Sequence, residues 1–475
     1  MKKLNEFIII VFLVILLIPI VTFNFKPNQT SAIDNRKLTE FPSLTKGTNI
    51  KQLVKDGNSY FSDRIGLRTS LITSCVFIQN KLFGVLAHPL YTNGKEGYVF
   101  AKLAPQLTDY DYVNQFSNFV AKLQTYCQER GVGFLFSLEP IKQIVYQQEL
   151  PQGVNYKNDR VPLLLNDLTE RNVNHVYTAP ALIEASKNTQ VYNVKYDAGH
   201  WNDNGAFVGI SLMLQTLQHD HPSLGLPAKS DYNISYVLHT SLPVSYYPIH
   251  EEIPVYSLKN PKAIEVDIYY NEIEKNPTGW YYTVYKNPSK PNAPKILVFM
   301  GSYFQYREKF IAESFSETVF VHSYLNIQDF DYYMNIFQPD IVLFQSADYA
   351  TTDTYYPLKL IQNVHYNPAY STLQSLPVAN FAALPNNAGQ ELKNAALNSK
   401  TQLTDFSLPV SGAKIAYAYA EIDGKSYDFK VASSGSRQTI SITLDKKVIL
   451  CAKNTRVILI SAGQKQQNVI QVKLS

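Results

Sequence analysis

Short apolar runs alternate with amphipathic segments across residues 109–345, and this pattern restricts the chain to few architectures. The segment "DYVNQFSNFVAKLQTYCQERG" has apolar residues at three- and four-residue steps, as in a helix, and ends at Gly131. It is followed by "VGFLFSL", a run suited to a buried parallel strand. The same signals predict helices at 161–172, 204–218 and 307–315, and strands at 173–178, 295–300, 318–324 and 339–345. Strands that alternate with helices predict an α/β domain with a mostly parallel sheet flanked by helices.

Two further segments depart from this alternation. Residues 222–290 are rich in Pro, Tyr and Ser, and we interpret them as an insertion that forms a lid or a substrate wall within an α/β domain spanning 59–385. In the tail, "AKIAYAYAEIDGKSYDFKVAS" alternates through an Asp423-Gly424 turn, which is a hairpin signature. The runs "QTISITL", "VILCA" and "RVILISA" then suggest further strands. The tail, 386–475, is predicted to be a small β-sandwich, with carbohydrate binding as one function open to it.

The N-terminus begins with Lys2 and Lys3, followed by an uncharged and almost wholly apolar run over residues 7–23. That run exceeds a signal-peptide core of roughly 7–15 residues and just reaches the roughly 17–25 needed to cross a bilayer. A weak cleavage sequence, "TSA", leaves a signal peptide as the alternative. The length favours an anchor over residues 1–24, followed by a polar tether over 25–58. Lysines ahead of the run predict that the remainder lies outside the cytoplasm.

Composition narrows the classes of partner. The chain has 475 residues, 45% hydrophobic and 17% charged, with a net charge of +4. It has no dense basic stripe, so nucleic acid is not an expected partner. Cys75, Cys127 and Cys451 are far apart and form no metal-binding or disulfide pattern, and neither a metal nor a cofactor is expected. The 34 tyrosines suit either half-buried sheet positions or sugar stacking.

Two loops carry residue types that suit nucleophilic catalysis. "KILVFMGSYF" places Gly301 and Ser302 at the carboxyl end of a predicted strand, where open parallel sheets bind ligands. "YDAGHWNDNGAF" places Asp197 three residues before His200. A serine needs an adjacent base, and a carboxylate can orient that base. The alternatives are a plain turn at the serine and a structural Asp–His pair, with Asp203 free to cap the helix that follows.

Six segments also occur in an order that resembles a known family. They include "YFSDRIGLRTSLI", "LEPIKQIVYQQELP", "DAGHWNDNGA" and "ILVFMGSYF", and the resemblance covers roughly residues 30–350. The order is similar to that of the alginate O-acetyltransferase family of the AlgJ/AlgX type, which has relatives named for an Asp-His-His-Trp motif. That family belongs with the SGNH hydrolases. The resemblance therefore implies an SGNH-like fold for the α/β domain.

The resemblance also implies roles for individual residues. Ser302 would be the nucleophile, His200 the base and Asp197 the acid that orients it. Trp201 and Tyr303, which adjoin the base and the nucleophile, are the predicted substrate contacts. Members of the family transfer acetyl groups to exopolysaccharide hydroxyls outside the cytoplasmic membrane. A multi-spanning membrane-bound O-acyltransferase passes the acetyl group out.

Two departures from the family pattern bear on activity. The family usually carries Gly-Asp-Ser at the nucleophile, whereas this chain has Met300-Gly301-Ser302. The spacing Asp-x-x-His replaces the family's common Asp-x-His and matches the wider SGNH group. The sequence thus predicts an extracytoplasmic O-acetyltransferase that acts on a polysaccharide. A carbohydrate esterase with the same triad and a non-catalytic glycan-binding or scaffold subunit are the alternatives.

Overall fold

The structure is a computed structural model. It describes residues 2–31, 33, 36–42, 50–103, 107–156, 159–243, 247–269, 272–273, 281–380, 382–384, 388–412, 414–435, 437–463 and 465–471.

An apolar helix, two short strands and two further helices form the described N-terminal part. The elements are α1 (Lys2–Val21), β1 (Thr30–Ser31), β2 (Arg36–Lys37), α2 (Ile50–Arg64) and α3 (Arg68–Phe83). Among the described helices, α1 alone is long and apolar enough to cross a membrane, a test that a signal sequence also passes. The helix carries Pro19 in its last turn.

The segment predicted as a tether, 25–58, is not an extended linker in its described part. Helix α2 begins within it, and the chain before α2 folds back onto that helix. The guanidinium of Arg64 donates to the carbonyl oxygen of Lys26 at 2.5 Å, and Arg36 pairs with the buried carboxylate of Asp63. Paired charges of this kind cannot be recognised from composition, which is why the polar sequence was interpreted as a linker.

The central domain contains the predicted alternation of strands and helices. Its elements are β3 (Tyr91–Asn93), β4 (Val99–Ala101), α4 (Tyr110–Gln128), β5 (Gly133–Glu139), α5 (Lys142–Val145), α6 (Arg160–Glu170), β6 (His175–Tyr177), α7 (Ala179–Ser186), α8 (Asp203–Gln218), β7 (Tyr232–Ser241), β8 (Pro248–Leu258), β9 (Ile264–Val266), β10 (Tyr282–Lys286), β11 (Lys295–Met300), β12 (Glu317–His322), α9 (Phe330–Phe337), β13 (Ile341–Ala347), α10 (Leu358–Ile361) and α11 (Tyr370–Gln374).

The main sheet has seven strands in the order β6-β5-β13-β11-β12-β10-β9. The first five are mutually parallel, and β10 and β9 continue the sheet in antiparallel fashion. Strands β11 and β13 are buried along almost their whole length, which accounts for their continuous apolar sequences. The predicted α/β class with a mostly parallel sheet is therefore confirmed.

Two predictions about this domain were wrong. Residues 307–315 form short 3-10 turns, Glu308–Phe310 and Ala312–Ser314, in place of a helix. Residues 222–290 are not a separate insertion, because β9 and β10 complete the edge of the main sheet. Within the described part of this segment, the hairpin of β7 and β8 stands apart from that sheet.

The C-terminal part is an antiparallel sheet with two helices. Its elements are β14 (Ala382–Ala383), α12 (Ala388–Asn398), β15 (Leu403–Gly412), β16 (Ile415–Ile422), β17 (Lys425–Ser434), β18 (Arg437–Asp445), α13 (Lys446–Leu450), β19 (Thr455–Ser461) and β20 (Gln467–Gln471). The hairpin predicted at Asp423-Gly424 joins β16 to β17. The run "VILCA" was predicted as a strand, but it largely forms α13, which Asp445 caps by accepting the N–H of Lys447.

This part was predicted as a small β-sandwich, and its described strands form an antiparallel sheet in the order β14-β15-β18-β17-β16-β19-β20. The first half of β17 pairs with β16 and the second half pairs with β18, so one strand runs through both halves of the sheet. Both halves and α12 contribute to one apolar core. A buried carboxylate, Asp428, joins this core to the α/β domain, where Arg130 pairs with it at 3.0 Å and Tyr126 donates to it.

Candidate active site

The predicted nucleophile lies at the carboxyl end of a central strand. Strand β11 ends at Met300 between β12 and β13, and Gly301 leads into the 3-10 turn Ser302–Phe304. The apolar strand is buried, whereas the Ser302 side chain is only partly covered. The end of the strand therefore presents the hydroxyl at an edge of the sheet that solvent can reach.

The predicted acid and base lie in a loop between α7 and α8. An antiparallel bridge between Tyr192 and Trp201 closes this loop at its base. At its far end, Asp197 has a φ of 48°, a left-handed conformation that Asp adopts more readily than most residues. Asn202 then caps α8 by accepting the N–H of Gly205 at 3.1 Å. The loop thus turns sharply enough to direct the carboxylate back at a side chain three residues later.

The structure brings Asp197, His200 and Ser302 together in one hydrogen-bonded path. The carboxylate oxygen Oδ1 of Asp197 lies 2.7 Å from His200 Nδ1, and His200 Nε2 lies 2.9 Å from Ser302 Oγ. The side chains of His200 and Asp197 remain 32% and 34% exposed. The imidazole can therefore accept a proton from the hydroxyl on one side while the carboxylate orients it on the other.

The electrostatics of the pair favour a charged acid beside a basic imidazole. Burial would raise the pKa of Asp197, but the charge and hydrogen bond of His200, together with the charge of Arg307, hold it below its ordinary value. Burial would lower the pKa of His200, but the charge and hydrogen bond of Asp197 raise it above its ordinary value, and Arg307 opposes that rise. The carboxylate thus makes the imidazole a better proton acceptor.

A glutamate from strand β8 organises the loop that carries Asp197. The carboxylate of Glu251 accepts the backbone N–H groups of Val194, Lys195 and Tyr196 at 2.6, 2.9 and 2.6 Å. These donors would otherwise be unsatisfied, because the loop forms no regular ladder there. The β7–β8 hairpin, predicted as a lid or a substrate wall, therefore holds the acid loop in place.

A buried polar chain lies beneath the serine turn. The side-chain oxygen of Gln345, on β13, accepts the N–H of Gly301 at 2.5 Å, and its amide nitrogen donates to Glu139 on β5. Ser137 Oγ donates to the second oxygen of Glu139 at 2.5 Å. Burial raises the pKa of Glu139 to about 8, while its hydrogen bonds from Ser137 and Gln345 oppose that rise. Burial thus favours the neutral form of Glu139, and its two hydrogen bonds favour the charged form.

Trp201 and Tyr303 do not line the open site. Each side chain is 1% exposed, and the indole N–H of Trp201 donates to the carbonyl oxygen of Tyr303 at 2.7 Å. The hydroxyl oxygen of Tyr303 lies 2.9 Å from the carbonyl oxygens of both Pro140 and Gly199, which share its single proton. The predicted substrate contacts are therefore corrected: these side chains join the loop of His200 to the turn of Ser302 from below, because the core of the α/β domain encloses them.

Asp203, which the sequence offered as a helix cap, has a different partner set. Its carboxylate pairs with Arg307 at 3.1 Å and with Lys309 at 2.6 Å, and it accepts the N–H of Tyr256 at 2.9 Å. The neighbouring Asn202 makes the cap. Asp203 thus holds Arg307 close enough to influence the pKa of both the acid and the base.

Three half-buried tyrosines lie at the ends of β12 and β13, on the serine side of the site. The ring of Tyr355 lies 4.9 Å from that of Tyr324 and 5.6 Å from that of Tyr349. Burial raises the pKa of Tyr349, and a side-chain interaction with Ser302 opposes that rise. Sequence reasoning missed these tyrosines, as well as Gln345, because each is one of many in the chain and no motif contains them.

Comparisons with known proteins place the chain among low-identity structural relatives. No protein-family model matches the chain, and no curated protein matches its sequence. Bacillus cereus PatB1 with a sulfonyl adduct is similar at 19% identity and a TM-score of 0.43, over 56% of this chain and 98% of that one. The O-acetyltransferase domain of Pseudomonas putida AlgJ is similar at 13% identity and a TM-score of 0.40, over 58% of this chain and 100% of that one.

Pseudomonas aeruginosa AlgX is similar at 11% identity and a TM-score of 0.39, over 80% of this chain and 90% of that one. AlgJ and AlgX are the types to which the sequence was found to be similar. At these identities and TM-scores the likeness assigns no activity to the chain, so its function has to be argued from its own residues.

Proposed function

We propose that this chain is a membrane-anchored, extracytoplasmic O-acetyltransferase that modifies a cell-surface or secreted polysaccharide. The observation that carries the proposal is the path from Asp197 through His200 to Ser302, with separations of 2.7 and 2.9 Å. The acetyl group and the polysaccharide acceptor come from the resemblance of the sequence to alginate O-acetyltransferases. A membrane-bound O-acyltransferase is the proposed source of the acetyl group.

The first half-reaction forms an acyl-enzyme. Ser302 Oγ attacks the carbonyl carbon of the acetyl donor while His200 Nε2 takes the hydroxyl proton. The backbone N–H of Ser302, at the first position of its 3-10 turn, is the proposed hydrogen-bond donor to the oxyanion. The tetrahedral intermediate collapses by breaking the bond to the leaving group, which receives the proton from His200. The products are acetyl-Ser302 and the free leaving group.

The second half-reaction reverses these roles. A sugar hydroxyl loses its proton to His200 and attacks the acetyl carbonyl, and Ser302 Oγ departs and recovers that proton. The half-buried rings of Tyr324, Tyr349 and Tyr355 are the proposed contacts for the sugar, because aromatic faces present an apolar body with a polar tip. They replace Trp201 and Tyr303 in the substrate-binding role.

One observation favours a second candidate, hydrolysis of an acetylated glycan. About a third of the side-chain surface of both His200 and Asp197 is exposed, so water can reach the base. Water in place of the sugar hydroxyl would discharge acetyl-Ser302 as acetate. Transfer requires the acceptor to exclude that water when it binds.

The test is mass spectrometry of the full chain in detergent after incubation with p-nitrophenyl acetate. Ser302→Ala removes the nucleophile, and Ser186→Ala, at the end of helix α7, is the matched control. We expect an acetyl adduct on Ser302 in the wild type and in the control, and no adduct in Ser302→Ala. Added oligosaccharide should discharge the adduct faster than water does.

Discharge by water alone, at every acceptor tested, would assign the chain to the esterases. A wild-type chain that forms no adduct at any donor concentration would reject both enzymatic candidates and favour a non-catalytic glycan-binding subunit.

A further inference from the structure

The outward side of helix α3 and its two ends carries an unpartnered apolar stripe among the described residues. Within the helix, Leu71, Cys75, Ile78 and Leu82 follow one another at steps of four, three and four residues, so they share one side. Leu67 precedes the helix and Val85 follows it, and both are exposed apolar residues at its ends. The five aliphatic side chains are between 49% and 69% exposed, and Cys75 is exposed as well. Contiguous apolar surface of this kind marks an interaction site more often than ordinary surface.

At Val76, on the opposite side, α3 packs against the α/β domain. Val76 is 2% exposed and shares a small core with Tyr91, Val99, Leu242 and Ala198. Ala198 directly follows Asp197 in the acid loop. Helix α3 therefore lies between the apolar stripe and the loop of the proposed active site.

The apolar helix α1 ends against the corner where α2 meets α3. The N–H of Gly66 donates to the carbonyl oxygen of Pro19 at 2.9 Å, and a Cβ on Gly66 would come within 1.9 Å of Thr22. The ring of Phe23 lies 5.7 Å from that of Tyr60 and 5.8 Å from that of Phe61. The stripe thus begins next to the point at which α1 ends.

The net positive charge of helices α2 and α3 suits contact with an anionic surface. Helix α3 contains no acidic residue, and Arg68 and Lys81 are its charged side chains. Helix α2 adds Lys51, Lys55 and Arg64 as well as Asp56 and Asp63, so the two helices together carry five basic and two acidic side chains, and Asp63 pairs with Arg36. Helices that lie in a membrane interface combine an apolar face with Lys and Arg, and anionic headgroups attract those cations.

We propose that the outward stripe of α3 lies on the outer surface of the bilayer that α1 crosses. The inference rests on the anchored, extracytoplasmic part of the proposed function. A helix with its side chains is about 10–12 Å across, so the contact holds the Asp197 loop roughly one helix diameter from the lipid. The site then stays close to the membrane at which the acetyl donor is delivered, and it cannot swing freely on its anchor.

Two exposed cysteines allow a test in the full chain. Cys75 lies on the stripe and Cys451 lies in the C-terminal sheet domain, whereas Cys127 is buried. The chain is reconstituted in phosphatidylglycerol and phosphatidylethanolamine vesicles and labelled with a nitrobenzoxadiazole probe. Cys451→Ser leaves the probe at Cys75, and Cys75→Ser leaves it at Cys451. We expect nitroxide lipids labelled near the headgroup to quench the Cys75 probe and to leave the Cys451 probe unquenched.

A second pair of variants tests the stripe itself. Leu71→Gln combined with Leu82→Gln should reduce quenching at Cys75 while thermal unfolding stays as in the parent, because both side chains are exposed. Leu450→Gln, an exposed leucine of the C-terminal domain, should leave quenching unchanged.

The proposed contact with the bilayer would be overturned if the chain floats with the vesicles and the Cys75 probe shows the same water-exposed, unquenched emission as the Cys451 probe. The emission of the Cys75 probe could instead shift to the blue with rising protein concentration and stay unquenched by nitroxide lipid. That result would overturn the membrane contact and show that the stripe binds a second copy of the chain. If the chain does not float with the vesicles, both the membrane anchor and the contact of the stripe with the bilayer are wrong. Acetylation of Ser302, measured in the same vesicles, reports separately on the acyl-transfer chemistry.

Discussion

The side-chain oxygen of Gln345 accepts the backbone N–H of Gly301 at 2.5 Å, one residue before the proposed nucleophile. Gln345 belongs to the neighbouring strand β13, and its side-chain amide nitrogen donates a hydrogen bond to Glu139 on β5. Three adjacent strands thus set the orientation of the peptide that leads into Ser302. Related sequences carry an acid in place of Gly301, and here the turn is supported from within the sheet.

Gln345→Met should therefore slow the reaction of Ser302 without unfolding the domain. The buried N–H of Gly301 would lose its acceptor, at a cost of about 1–3 kcal/mol. A nucleophile displaced by about 1 Å loses on the order of 100-fold in rate. The rate of labelling by a sulfonyl fluoride measures this effect. Gln362→Met, on an exposed position after α10, is the control, and equal rates in the two variants would contradict the positioning role.

The reaction should also depend on pH through His200. The base must be neutral to accept the hydroxyl proton, and its pKa lies above the ordinary value of 6.5. The labelling rate should therefore fall as pH is lowered through a midpoint above 6.5. Asp197→Asn removes the charge that raises the pKa of His200, so the midpoint should move down and the maximal rate should fall by about 10²–10⁴-fold. If the wild type and Asp197→Asn have the same midpoint, Asp197 does not raise the pKa of His200 and the proposed acid–base pair is wrong.

Glu251→Ala should impair the acid loop from a distance. The change leaves three backbone donors of residues 194–196 without their acceptor, each at a cost of about 1–3 kcal/mol where water cannot replace it. We expect the labelling rate of Ser302 to fall, and exchange of the loop amides to accelerate in hydrogen-exchange mass spectrometry. Glu252→Ala, on the exposed side of the same strand, should change neither quantity. Identical exchange of the loop amides in the two variants would refute the role of Glu251 in holding the acid loop.

Gly209→Ala should destabilise the domain through Trp201. A Cβ at Gly209 would come within 2.3 Å of the buried indole ring, which has no room to retreat because its N–H is bound to Tyr303. Overpacking of this kind costs about 1–3 kcal/mol, measured by denaturant unfolding. Gly57→Ala, in helix α2 with nothing within 4 Å of its Cβ, should instead stabilise by about 0.5–1 kcal/mol. A Gly209→Ala protein as stable as the wild type would show that the indole can shift.

Much of the architecture follows from local pattern. Buried strands such as β5 and β11 are short apolar runs, and amphipathic helices such as α4 and α8 have apolar residues at helical spacing. The Asp-x-x-His spacing and a Gly-Ser pair at the end of a strand were visible in the same way. Where local signals conflict with packing, as in residues 307–315, the pattern predicted a helix and the chain forms 3-10 turns.

The amino-acid sequence by itself determined most of the buried strands and amphipathic helices of the α/β domain, and which residues have the chemistry of a nucleophile, a base and an acid. Only the tertiary structure decided that Ser302 lies 2.9 Å from His200, that Trp201 and Tyr303 face the core, and that Gln345 and Glu251 hold the two loops. Periodicity reports the face on which a side chain lies within its own element. Partners separated by forty or more residues meet only when strand order and register bring them together, and no local spacing encodes that meeting.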